Sequence, residues 1–212
     1  MMPPPVKTKA DARAQAQTVI RLRLAFTPGR RPDWKEARAA ILAGAPVDPP
    51  LPQWAGATPL ILAATLDGCT AEVGWLLDHG ASLEAVTSNG TTALVRAGAH
   101  SRIGTIALLL QRGVDPNARG RNGWTALMVV SLMNDTKSRR GLIVTLLDHG
   151  ADPAATTLDG RTAPEIFMAF GGPELTGYLD EVLASDHRAT ARCRLLDRLT
   201  IAPPPAAACW IG

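Results

Sequence analysis

From residue 89 to 113 the chain reads NGTTALVRAGAHSRIGTIALLLQRG, and its apolar positions fall into two blocks at helical spacing. Thr92 stands as an N-cap whose hydroxyl can take an orphan amide, ahead of a short apolar segment from Ala93 to Ala97. A polar break at His100 to Arg102 follows, and then Ile103, Ile106, Leu109 and Leu110 recur on one face. Gly113 ends the second block in the left-handed conformation that a Cβ would penalise. The pattern predicts a helical hairpin. After it comes VDPNARGRNGW, rich in Pro and Gly, with Asn122-Gly123; the same phase holds Asn89-Gly90 and Asp159-Gly160, dipeptides that predict a tight turn between one hairpin and the next.

The hairpin is written several times. LLDHGA occurs at Leu76 to Ala81 and again at Leu146 to Ala151, with LLQRGV at Leu109 to Val114. Upstream stand Thr58, Thr92, Thr125 and Thr162, each two residues after a glycine and separated by 34, 33 and 37 residues. A period near 33 marks a supersecondary unit that cannot bury its own apolar face, so that units must stack to make a core. A stack needs caps. PDWKEARAAILAG offers Asp33 as N-cap with Glu36 three residues on, and an apolar stripe of Trp34, Ala37, Ile41 and Leu42 ending at Gly44. With an Ala-rich helix from about Asp11 to Phe26, it is expected to cover the first full repeat. At the other end Thr162 and Glu165 form a capping box, and a further helix is expected over about Asp186 to Leu199.

The expected organisation is a disordered start at 1–10, an N-terminal helical cap at 11–52, repeats at 53–86, 87–119 and 120–156, a C-terminal capping repeat at 157–184, an extra helix at 185–200 and a disordered tail at 201–212. The third repeat is longer by four residues. The extra letters lie in MNDTKSRRG, read as an insertion between its two helices with Lys137, Arg139 and Arg140 as a local positive patch.

GATPLILAA at Gly56 to Ala64 resembles the Gly-x-Thr-Pro-Leu-His-x-Ala-Ala start of the ankyrin repeat, and VGWLLDHGASLEA and IVTLLDHGADPAA resemble its ending. The likeness covers about residues 53 to 184. It departs from the family where the His after Pro-Leu is replaced by Ile61, Val95, Met128 and Glu165, so a Thr-to-His hydrogen bond is not expected. The resemblance implies an all-α, ankyrin-like solenoid of helix-turn-helix units joined by projecting β-turn loops, with helical caps. It also implies a non-catalytic protein-binding module whose partner, unidentified from sequence, lies on a concave face made of the turns and first helices.

Composition narrows the function classes. With 46% hydrophobic and 19% charged residues the chain can bury a core, and no apolar run approaches the roughly 20 residues that span a bilayer. Cytosol is the default reading, with organelle targeting by the Arg-rich N-terminus and a secreted-effector role left open. Net charge is +3, but residues 1–50 carry nine Lys/Arg against four Asp/Glu, 186–212 carry four against two, and the centre carries nine against thirteen. Basic ends around an acidic centre leave nucleic-acid or anionic-surface binding through the terminal helices as the alternative function. Cys69, Cys193 and Cys209 share no metal-ligand spacing with His79, His100, His149 or His187, so no metal and no cofactor are expected.

No catalytic residues are assigned. His79 and His149 precede helix-ending glycines, where an imidazole complements the helix dipole. His100 beside Ser101 lacks an acid and an oxyanion loop. Candidate partner-binding residues follow from the phase of the repeat: Trp54, Ser88, Asn89, Thr91, Arg121, Asn122, Trp124, Asp159 and Arg161 on the turns, and His100 at the far end of a first helix. Ala57 and Leu158 join the turns, and Thr65, Leu66, Ala99, Ser131 and Leu132 join the helix ends. Trp124 next to Arg121 has the composition of a binding hot spot, Trp54 is more readily a support for the N-terminal cap, and Trp75 is read as core.

Overall fold

The computed structural model describes residues 9–132 and 136–170, and they divide into two compact units that meet between Val114 and Asp115. The second helix of the C-terminal capping repeat, the helix expected at 185–200 and the tail at 201–212 lie outside the described residues, as does most of the segment 1–10.

In the first unit α1 (Lys9–Ala25) packs on α2 (Trp34–Leu42), and two hairpins follow: α3 (Pro59–Thr65) with α4 (Thr70–Asp78), and α5 (Ala93–Ala99) with α6 (Ile103–Gln111). First helix packs on first helix, α3 on α5, and second on second, α4 on α6. Threonine starts the first helices for the reason its position suggests. The Thr58 and Thr92 hydroxyls accept from the amides of Ile61 and Val95, each satisfying one of the amides a helix N-terminus leaves open. Leu60, Ile61, Leu76, Leu94, Ile106 and Leu109 are fully buried, and each such side chain removed from water contributes about 1.5–3 kcal/mol.

The repeated ending closes each second helix. At Gly113, φ is +84°, and the amide of Val114 reaches back to the carbonyl of Leu109 at 3.2 Å while Gly113 bonds to Leu110. The same pair of bonds recurs from Ala81 to Leu76 and from Ala151 to Leu146, with a buried apolar residue after each glycine. This is the Schellman arrangement, in which two orphan carbonyls are satisfied and the chain is turned back over its own helix. LLDHGA recurs because each unit has to end a buried helix in that way.

The cap differs in part from expectation. Asp33 does accept from the Glu36 amide, but the Glu36 carboxylate turns to Arg21 of α1 at 2.7 Å rather than back to the cap. The buried stripe of α2 is Ala37, Ala40 and Ile41, and Leu42 is 70% exposed in the last turn of the helix.

In the second unit α7 (Ala126–Ser131) forms a hairpin with α8 (Thr136–Asp148) and packs on α9 (Ala163–Phe170). Thr125 caps α7, and Thr162 and Glu165 cap α9 reciprocally: the Glu165 carboxylate accepts from the Thr162 amide at 2.7 Å while the Thr162 hydroxyl accepts from the Glu165 amide. Of the segment read as an interhelical insertion, residues 133–135 lie outside the described residues, and Thr136 to Gly141 is helical: α8 runs to 13 residues against nine in α4 and α6, with no proline in that stretch to break it. Arg139 is only 6% exposed, so it belongs to the packed side of α8 and not to a solvated patch; Arg140 is exposed.

Candidate partner-binding surface

Consecutive turns dock on each other in pairs. In the first unit the Ala55 carbonyl accepts from the Ser88 amide at 2.9 Å and from the Ser88 hydroxyl at 2.8 Å. In the second unit the Asn122 carbonyl accepts from the Leu158 amide at 3.0 Å. Each turn is also closed internally. Isolated antiparallel bridges join Leu51 to Ala57, Val86 to Thr92 and Thr156 to Thr162, and the hydroxyls of Thr87 and Thr157 accept from the amides of Thr91 and Arg161. Further bonds tie successive repeats together where each second helix has ended and the segment leading to the next turn begins: Asp48 accepts from the Ser82 amide at 2.7 Å, and Asn117 accepts from the Asp152 amide at 2.6 Å. Turns held at both ends present side chains on an ordered backbone, which lowers the ordering entropy that binding has to overcome.

On this frame the candidates separate. Ser88 and Asn89 are exposed neighbours on one turn, joined by a 3.3 Å hydrogen bond, with Thr91 half-buried behind them. Arg121 and Asn122 are exposed and Trp124 is half-buried on the turn of the second unit, with Leu158 79% exposed beside the Asn122 carbonyl. Arg161 forms an ion pair with Asp159 on its own turn, and that hydrogen bond, ahead of the Coulombic attraction, holds the Asp159 carboxyl below the usual range. Trp54 lies elsewhere: its indole N–H donates to the Phe26 carbonyl at 2.7 Å, tying the first turn to the end of α1, where Phe26 meets Trp34 edge-on at 5.2 Å.

The helix ends separate as well. His100 is exposed at the end of α5, and its pKa is lowered by burial of the ring and by the nearby guanidiniums of Arg96 and Arg102. Ala99 and Leu132 are exposed, Thr65 and Leu66 half-buried, and Ser131 fully buried with its hydroxyl on the Leu127 carbonyl. His79 and His149 hold the carbonyls of Trp75 and Thr145 at 2.8 Å through Nδ1, closing the last turns of α4 and α8. Trp75 is half-exposed and not core. It stacks on His79 at 3.8 Å and carries the Arg38 guanidinium 5.3 Å from its ring centroid.

Arg96 on α5 was not among the residues singled out from sequence. The signal was present: counted from the capping threonines, its equivalents are Leu62, Val129 and Ile166, so Arg96 is a charged residue in an apolar column. Among the described residues no group of His, Cys, Asp and Glu is placed to hold a metal ion, and no helix is long and apolar enough to cross a membrane. Arg21, Arg30 and Arg31 line a surface hollow of about 420 Å³ beside α1 and α2, but Asp33 and Glu36 share its wall, an arrangement poorly suited to a polyanion.

Residues 37–120 match the family model for ankyrin repeats, three copies. Ankyrin repeat and SAM domain-containing protein 6 of Mus musculus and of Rattus norvegicus are each 40% identical to this chain over 81 residues, covering 38% of this chain and 9% of theirs. NF-kappa-B inhibitor alpha of Homo sapiens is 39% identical over 87 residues, covering 38% of this chain and 27% of its own. The chain therefore spans 9% to 27% of the length of these relatives.

Proposed function

This chain belongs to the ankyrin-repeat family, its repeats matched over residues 37–120, and on that premise we propose that it binds a partner protein noncovalently through the turn edges and first-helix faces of its repeats. Ankyrin repeats are protein–protein interaction modules. The observation that carries the finer reading is the turn pair of the second unit, where Leu158 stands 79% exposed beside a turn bearing Arg121 and Trp124. An ordered backbone that displays a large apolar side chain next to an aromatic and a cation has the composition of a binding hot spot. One matched relative is an inhibitor by name, so a blocking role stands ahead of an adaptor or delivery role. A cytoplasmic setting accompanies this reading.

Affinity capture with the tagged full chain in its native host, followed by mass spectrometry, identifies the partner. Calorimetric titration of Trp124→Ala/Arg121→Ala against that partner then tests the surface. The expected result is a loss of about 2 kcal/mol or more with an unchanged melting temperature. Wild-type affinity would move the site off this edge, and a parallel loss of folding would make Trp124 a core residue. Steep salt dependence of binding, as counterion release produces, would favour an anionic surface as the target.

A further inference from the structure

Four positions after its capping threonine, each repeat has a residue on the first helix: Leu62, Arg96, Val129 and Ile166. Leu62 and Ile166 are buried and Val129 is half-buried, as an apolar column requires. Arg96 is half-buried too, but its Nε lies out of water with no hydrogen-bond partner, and no ion pair among the described residues includes it. Withdrawing part of a guanidinium from water without a compensating acceptor is unfavourable, and an aliphatic side chain would serve the packing of α5 better. The isolated fold gives no reason for the charge.

The surroundings select what would complete it. Ala99 and His100, three and four residues on, share the uncovered face of α5 with Arg96. The neighbouring first helix α3 offers Leu62, Thr65 and Leu66 at the equivalent positions, none of them acidic. The nearby carboxylate of Asp67 is taken by Arg102, at 3.0 Å, and Arg102 also donates to the Thr65 carbonyl at 3.1 Å. The face thus holds a positive field with one guanidinium whose donors are free, set beside aliphatic side chains. A planar fork of that kind matches a carboxylate in two hydrogen bonds.

We propose that this face of α3 and α5 receives an acidic segment of the partner protein, with an Asp or Glu carboxylate on Arg96 and a neighbouring apolar side chain against Leu66. The inference rests on the protein-binding reading above and names the chemistry of its partner. The exposed polar turn of Ser88 and Asn89 belongs to the same unit and would meet the backbone of such a segment.

The test uses the full chain. Random dodecapeptides displayed on phage are selected against wild type and against Arg96→Leu, and the selected peptides are resynthesised and measured by fluorescence anisotropy. Wild type is expected to enrich an acid at one fixed position beside an apolar residue. Arg96→Leu should weaken those peptides about tenfold or more, the worth of a charged hydrogen bond, with Arg96→Lys in between. Because three repeats already carry an aliphatic residue there, Arg96→Leu should melt no lower than wild type. Peptides lacking the acid, or acidic peptides bound equally by Arg96→Leu, overturn the inference and leave the protein-binding reading intact. If neither protein binds any peptide the inference also fails, and the broader reading fails with it only if no captured partner binds in calorimetry. A single-stranded oligonucleotide bound more tightly than the peptides, and through Arg96, would overturn the acidic-peptide assignment in favour of a polyphosphate.

Discussion

The turn pair of the first unit and the turn pair of the second share one backbone solution and carry opposite surfaces. In both, the carbonyl of a left-handed residue, Ala55 or Asn122, accepts from an amide of the following turn, and a glycine comes next so that the two strands of chain can approach. A Cβ on Gly56 would lie 3.4 Å from the Ser88 amide nitrogen, and one on Gly123 only 3.1 Å from that of Leu158. The difference is in the side chains. Ser88 folds its hydroxyl back onto Ala55 and leaves a polar edge, whereas Leu158 makes no such bond and projects into solvent near Arg121 and Trp124. Scaffold and displayed surface are therefore separable, and substitutions can address one at a time.

The largest expected effect tests whether the two units share the same kind of core. Leu109 and Leu146 occupy the same place in the repeated helix ending and are both fully buried. Leu109→Ala and Leu146→Ala should each cost about 2–5 kcal/mol in denaturant melts. A surface-like value for either would break the equivalence of the units. Next in size, Gly123→Ala should cost roughly 1–2 kcal/mol, because φ is +76° and the new Cβ meets backbone that cannot swing aside. Gly56→Ala should cost less than Gly123→Ala, and the reverse order would contradict the tighter contact in the second unit.

A smaller pair separates stability from display. Ser88→Ala removes the hydroxyl's bonds to the Ala55 carbonyl and to Asn89 and should cost about 0.5–1.5 kcal/mol. Leu158→Ser should stay within about 0.5 kcal/mol in stability while weakening partner binding. If Leu158→Ser unfolds the second unit, its exposed side chain is structural after all.

The smallest effect is a pH dependence at Asp48. Burial raises its carboxyl pKa in the folded chain, against the opposing hydrogen bond from the Ser82 amide. A carboxylate whose folded pKa exceeds its unfolded one destabilises when ionised. That cost is absent below the unfolded pKa, grows as pH rises between the two values and is fully present above the folded one. Asp48→Asn should therefore flatten the fall in stability on raising pH through the weakly acidic range, as melting temperatures across that range would record.

What could be read from the letters was what repeats. Thr92 and Gly113 act locally, through a hydroxyl on a nearby amide and a φ that a Cβ penalises, so they mark helix ends without knowledge of the rest of the chain. The extension of α8 was misread because Lys, Ser and Arg suit an exposed helix as well as a loop, and the burial of Arg139 depends on packing that no local pattern encodes. Trp54 could be read two ways from the letters, because its partner, the Phe26 carbonyl, is set by chain geometry across 28 residues. Arg96 is the converse case, visible only when the four repeats are laid in phase.

The central claim is that partners meet the turns and first helices and leave the second helices uncovered. Amide hydrogen exchange of the full chain with and without the captured partner tests it most directly. The account predicts added protection at residues 88–91, at 121–124 and 157–161 and along α5, with α4 and α6 exchanging as in the free chain. Protection confined to α4 and α6, with the turns unchanged, would contradict it.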